Sequence, residues 1–302
     1  MLIRTLATAL LLATFIPDSP TLMLMDGKIQ VAAVQPHALM LSPAAPPLLD
    51  WKRFKALSTA VARQTEKASI NARIDANGSI RPGHTGRTLL RSVFQQRLYR
   101  AICRRKVAKV ALPFIRTYPR VDVELLSQLR AQSIGSCTTY FNSADKSRTH
   151  NIALAARALD SYVLFPDETF SFNRIVGMRT EKKGYRRARV ILSGEYGEDI
   201  GGGVCQVSST LFNAAARAGL PITQRLSHSR RVPYVPPGHD AAVSWPSPDL
   251  QFRNPYKEPV LIRASSGDGW IRLTFYASES LFPRRPCMRT APLKYQPHGI
   301  FN

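Results

Sequence analysis

At 302 residues, with 44% hydrophobic and 9% aromatic side chains, the chain has a globular composition and room for one full core plus a smaller second one. That excludes a disordered chain and a protein that spans a membrane throughout. The formal net charge of +22 is silent about fold, but it selects anionic partners such as nucleic acid, acidic lipid headgroups or anionic cell-wall polymers.

Residues 1–50 read as a leader followed by a Pro/Ala-rich linker. Arg4 precedes an apolar run from Leu6 to Ile16, which has the length of a signal core and is short for a membrane span. No small-x-small processing site follows at Phe15 to Asp18, so the segment is either a cleaved leader or a short anchor, or translation starts at Met23 or Met25. Pro36 to Pro47 reads as an extended linker.

Residues 51–133 form a small basic α+β segment. Trp51 to Ala72 has a helical apolar spacing, and Asn77-Gly78 predicts a hairpin turn. Gly86 to Arg105 predicts an amphipathic helix with Leu89, Leu90, Val93, Leu98 and Ile102 inward, and Lys106 to Phe114 a strand. The arginines of that helix, from Arg87 to Arg105, make either a solvated face or a site for phosphate or carboxylate. No RNA-binding signature, zinc finger or helix-turn-helix spacing accompanies them, which leaves nucleic acid as the weakest partner.

From residue 134 to 279 the pattern is α+β, a mixed or antiparallel sheet with a central cysteine-bearing helix. Asn151 to Asp160 predicts a helix capped by Thr149. Strands are predicted at Tyr162 to Phe165, Thr169 to Asn173, Arg189 to Leu192, Ala242 to Trp245, Leu250 to Phe252, Pro259 to Ala264 and Trp270 to Tyr276. Residues 280–302 read as an irregular basic tail.

The stretch GGGVCQVSST holds the chemistry. Gly201, Gly202 and Gly203 strip side chains from a turn, so backbone N–H groups can converge there. Val207, Leu211, Ala214 and Ala218 then share one helical face, and Gly219-Leu220-Pro221 stops the helix. Cys205 therefore sits at a helix N-terminus, where the dipole favours a thiolate; a buried structural thiol is the alternative. Of the other cysteines, Cys103, Cys137 and Cys287, none makes a CxxC pair, which argues against structural zinc. They are too few for a disulfide scaffold, although one bridge such as Cys137 to Cys287 suits an exported chain.

A thiolate nucleophile needs a base and an oxyanion site. His228 follows the helix and a returning segment, Ile222 to Leu226, and is the first candidate base; His239 is the second. Ser229, Asp240 or Asn173 could orient the ring. The glycine turn and the Gln206 N–H would donate to the oxyanion, with Ser208 and Ser209 close by on the helix. No metal set falls at recognisable spacing, and no cofactor is called for.

The motifs RTHNIALAARALD, FSFNRIVGMRTEKKGY, GGGVCQVSSTLFNAA, HSRRVPYVPPGHDA and DLQFRN, within residues 134–278, resemble the VanW family of bacterial envelope proteins. Residues 60–125 resemble, less specifically and over a shorter length, a peptidoglycan-binding domain that often precedes it. The resemblance implies a cell-envelope or periplasmic location and a role connected with glycopeptide resistance. It also implies a cysteine that accepts the acyl group of a peptidoglycan stem peptide, as an L,D-transpeptidase does. By motif, Cys205 becomes the nucleophile, His228 its partner, and Asp240, Arg179 and Asn173 supporting groups. Asp167 departs from the family, which has Gly in that turn. The implied partners are peptidoglycan or its stem peptides, anionic envelope polymers or a membrane surface. A peptidase would share every residue, and a non-catalytic peptidoglycan-binding or accessory resistance module is the alternative.

Overall fold

Leu22 and Leu24, in a stretch that reads as leader, are fully buried in strand Leu22–Asp26. The computed structural model describes residues 21–42, 48–104, 108–192 and 195–281; the leader core, the tail and Cys287 lie outside these. The chain divides into two compact units, residues 1–70 with 84–120, and residues 71–83 with 121–302.

In the first unit Leu22–Asp26 pairs antiparallel with Ile29–Val34 and parallel with Ala108–Ala111. Helices Trp51–Thr65 and Arg91–Cys103 share its core through Phe54, Phe94, Leu98 and Ile102. Residues 22–34 are thus part of a folded sheet, because the partner that buries Leu22 and Leu24 arrives far along the chain, and Met40–Ser42 pairs separately with Leu48–Leu49 where a linker was expected. Pro36–Leu39 is a 3-10 turn with Leu39 in the same core. The first helix ends at Thr65, and Lys67 and Ile70 bridge to Arg87 and His84. Gly86–Leu89 is a strand against Phe114–Thr117, so the second helix begins only at Arg91. Arg87 leaves the supposed anion-binding face altogether: it grips both carboxylate oxygens of Asp26.

The second unit has the expected α+β class. Its main sheet is antiparallel, in the order Gln132–Tyr140, Trp270–Ala277, Val260–Gly267, Tyr162–Leu164. Strand alternation separates its two faces. Ile271, Leu273 and Phe275 join Val260 and Ile262 in the large core beneath helices Lys146–Leu159 and Val204–Arg217. Val163 and Leu261 point the other way, toward helix Val123–Leu129. A smaller sheet, Thr169–Ser171, Gln251–Arg253, Ile222–Gln224, stacks Phe170 on Phe252 at 4.5 Å and extends the large core. No helix among the described residues is long and apolar enough to cross a membrane.

Local details differ from the periodicity reading. Asp145, not Thr149, caps its helix, accepting from the Arg148 N–H at 2.9 Å. The strand from Thr169 stops at Ser171, which caps a helical turn, Phe172–Val176. Ala242 to Trp245 is not a strand: Pro246 and Pro248 remove donors, and the run is fastened instead by the Asn173 amide, which donates to the carbonyls of Ser244, Pro246 and Pro248. Asp167 adopts φ 60°, which Asp tolerates better than most residues.

Helix Val204–Arg217 lies close on strand Gln132–Tyr140 because Gly135 has no side chain. A Cβ there would fall 2.5 Å from the Ala218 nitrogen and 2.6 Å from the Ala214 carbonyl oxygen. Both are backbone atoms and cannot swing aside. Gly135→Ala is expected to cost about 1–3 kcal/mol by overpacking; a denaturation midpoint equal to wild type would show that the helix can slide on the sheet.

Candidate active site

The strand Glu195–Ile200 feeds directly into the glycine turn. Gly201 and Gly203 have φ of 91° and 104°, which L side chains rarely adopt. Gly202 is needed for space, since a Cβ would meet the Ala188 carbonyl at 2.6 Å. Buried Asn151 braces the turn, donating to the carbonyls of Gly202 and Arg186 and accepting from the Arg186 N–H. The helix begins at Val204 and places Cys205 in its first turn, partly exposed.

Three of the sequence-selected residues meet. The Asp240 carboxylate accepts from both the backbone N–H and Nδ1 of His228, each at 2.6 Å. The ring lies within interacting reach of the Cys205 thiol, and with Nδ1 engaged its free nitrogen is Nε2. On the other side, Sγ lies 3.4 Å from the Val243 carbonyl, which can only accept. Cys205, His228 and Asp240 thus stand in the spatial order thiol, imidazole, carboxylate.

Side chains on the helix hold the His228–Asp240 loop in place. The Ala241 N–H donates to Ser209 Oγ at 2.9 Å, and Ser208 Oγ donates to the carbonyls of Cys205 and Ala241. Asn213 donates to the His239 carbonyl at 2.7 Å and meets His239 Nδ1 at 2.9 Å, so His239 anchors the loop to the helix. Arg225 closes the loop on the carbonyls of Gly238 and Asp240. A cleft of about 210 Å³ runs along this loop and includes His228 and Asp240 in its wall.

Two expectations change here. The Gln206 N–H is not an open oxyanion donor: it closes on the Gly203 carbonyl at 3.0 Å, a tight three-residue bond of the kind that can satisfy a helix's first N–H groups. Its side chain is instead buried, donating to Thr139 and Tyr140 and accepting from Arg148. Ser229 is exposed and does not orient the ring, because Asp240 already occupies Nδ1. Asn173 supports the site from a distance, accepting from Arg179 at 2.8 Å. Asn213, Asn151, Arg148 and Tyr234 also belong to the site's surroundings, without a role expected of them from sequence. Cys205, Ser209 and Asn213 recur at four-residue spacing, a polar stripe that was there to be read.

Electrostatics favour a thiolate. Burial pushes the Cys205 thiol up, but the His228 hydrogen bond and the positive charges of His228 and Arg179 outweigh it and hold the thiol below its ordinary value. Burial pushes His228 down, and its bonds and charge attraction to Cys205 and Asp240 carry it above the usual imidazole range. Both shifts favour the thiolate–imidazolium pair. Tyr234, hydrogen-bonded to Ser209, is pushed well up by burial and by the Cys205 charge, so its hydroxyl keeps its proton as a donor. Among the described residues no group of three or more His, Cys, Asp or Glu could hold a metal ion.

These residues fall within known relatives. A family model described as VanW like protein matches residues 147–276. The YoaR protein of Bacillus subtilis (strain 168) is 44% identical over 262 residues, 87% of this chain and 86% of its own length. The Vancomycin B-type resistance protein VanW of Enterococcus faecalis is 32% identical over 114 residues, 36% of this chain and 42% of its own length. No solved structure matches.

Proposed function

The chain belongs to the VanW family, and from that premise we propose that it is a cell-envelope enzyme of cysteine-dependent acyl transfer on peptidoglycan stem peptides. The observation that carries the reading is the contact of the Cys205 thiol with a His228 ring whose Nδ1 is held by Asp240. The Cys205 thiolate attacks a peptide carbonyl, and a C–S bond forms. The amide C–N bond breaks as His228 passes its proton to the leaving amine. An acceptor amine or water then attacks the thioester, gives its proton to His228 and frees the thiol. Access of amine or water decides between transpeptidation and hydrolysis. Incubating the purified protein with disaccharide-tetrapeptide tests the reading: a thioester mass on Cys205 supports it, and an unmodified protein with unchanged muropeptide opposes it.

The net charge of +22 supports a second reading, an accessory module that grips the anionic wall. It connects to the resistance named for the Enterococcus relative without any chemistry here. Binding to purified sacculi that survives Cys205→Ala, falls steeply with salt and yields no thioester would favour it.

The thiolate state has its own check. His228→Ala removes the largest influence that lowers the thiol while burial remains, so Cys205 alkylation by iodoacetamide should begin at higher pH than in wild type. An unmoved onset would mean that the ring does not govern the thiol.

A further inference from the structure

Two guanidinium groups beside Cys205 carry donors that the chemistry above does not use, although the charge of Arg179 already favours the thiolate. Arg179 and Arg148 are both half-buried, and their stems lie on the glycine turn. A Cβ at Gly201 would come within 3.0 Å of Arg179 Cβ, and one at Gly203 within 3.0 Å of Arg148 Cγ. The turn is bare, in part, so that these two stems can cross it. Each guanidinium is fixed at one end only. Arg179 donates through Nη1 to Asn173 and to the Gly177 carbonyl, and Arg148 through Nη2 to Gln206. Neither forms a salt bridge among the described residues. Asp249 and Asp145 act on them only at longer range, and Asp249 is already occupied by Ser171, the Asn173 N–H and Gln251.

A half-buried cation without a carboxylate is costly unless it has a task. Here two such cations stand on either side of one turn, close enough to Cys205 for its charge to act on both. Stabilising the thiolate accounts for charge, but not for the forked donors left open. Planar forks suit a carboxylate. Resting on the acyl-transfer reading above, we propose that Arg148 and Arg179 form a carboxylate site for the free C-terminus of the donor peptide, next to the amide that Cys205 attacks. The substrate class is then a peptide whose last residue leaves with its carboxylate intact, and an interior amide of a longer peptide is excluded.

The test uses alkylation, which needs no turnover. The full-length protein is treated with iodoacetate or iodoacetamide, and modification is mapped separately at Cys205 and at exposed Cys103, which reports the general field of a +22 protein. The iodoacetate-to-iodoacetamide rate ratio at Cys205 is expected to exceed that at Cys103 by about tenfold, and to lose that excess in Arg148→Gln and Arg179→Gln. In wild type, a stem tetrapeptide with a free C-terminus should protect Cys205, while its C-terminal carboxamide should not. Equal ratios at the two cysteines, with equal protection by the two peptides, would overturn the site. If both reagents slow together in the variants, the arginines serve the thiolate alone and the proposal fails. The wild-type arms stand even if a variant does not fold. A protein that shows the carboxylate preference but never acquires a thioester refutes the acyl-transfer reading and leaves the anion site. A thioester without the preference does the reverse.

Discussion

Cys205→Ala is expected to abolish the thioester and to lower turnover of disaccharide-tetrapeptide by about 10⁴-fold or more, as loss of a covalent nucleophile does. The size of the effect follows from the arrangement. His228 can activate only what it touches, and the next hydroxyls on the helix, Ser208 and Ser209, are committed to the carbonyls of Cys205 and Ala241. Water admitted by the missing sulfur lacks a pre-formed anionic state. Quantitative chromatography of the muropeptides and intact-protein mass measure the two consequences separately. Retention of turnover within tenfold of wild type would remove Cys205 from the chemistry. Fold loss is not expected to confuse the result, since alanine suits a helix and the polar contacts of Sγ, with the His228 ring and with the Val243 carbonyl at 3.4 Å, are weak sulfur contacts.

Asp240→Asn should be nearly as severe, at about 10³–10⁴-fold in kcat/KM. Asp240 is 6% exposed, and one of its oxygens accepts from both the backbone and the ring of His228. An amide oxygen can still accept, but it carries no charge, and an amide nitrogen turned toward the ring would demand the opposite tautomer. His228 would then present a proton to the thiol where it must receive one. The substitution should also lower stability at neutral pH by about 1–3 kcal/mol through the weakened loop anchor. The sign with pH is fixed by the carboxyl: burial pushes it up, but its hydrogen bonds and His228 hold it below 3.8. Its contribution is therefore present above that ordinary value and fades as pH falls through the lowered one. The stability gap between wild type and variant should close in acid. Urea denaturation across pH checks this, and a gap that widens on acidification would contradict the assignment.

Much of the site was legible because its signals are local. Three glycines, a helix whose Val207, Leu211, Ala214 and Ala218 are all fully buried, and a Gly-Leu-Pro stop lie within about twenty residues of one another. His228 came from proximity in the chain after that stop. The orienting group did not: Ser229, Asn173 and Asp240 were equal on sequence. Asp240 takes the part because Arg225, Asn213 and Ser209 fold the loop back onto the helix. Gln206 was misjudged for a related reason. Residue spacing placed its N–H beside the thiol, but the closing of the first helical turn consumed that donor. Arg148 looked like one more surface cation in a strongly basic chain, and only its crossing of the turn at Gly203 sets it apart.

Taken by itself, the sequence determined the α+β class, the apolar faces of the helices and strands, and the helix start at the glycine turn with Cys205 in its first turn. Each depends on periods of two or about 3.6 residues, or on backbone freedom, which act within a few residues. Tertiary structure alone decided that Leu22 and Leu24 belong to a sheet, that Ala242 to Trp245 is a fastened loop, that the Asp240 carboxylate holds the His228 ring, and that Arg148 and Arg179 lie on the glycine turn without a salt bridge among the described residues. Those outcomes are pairings between distant residues, set by which polar groups burial forces together, and no local period encodes them.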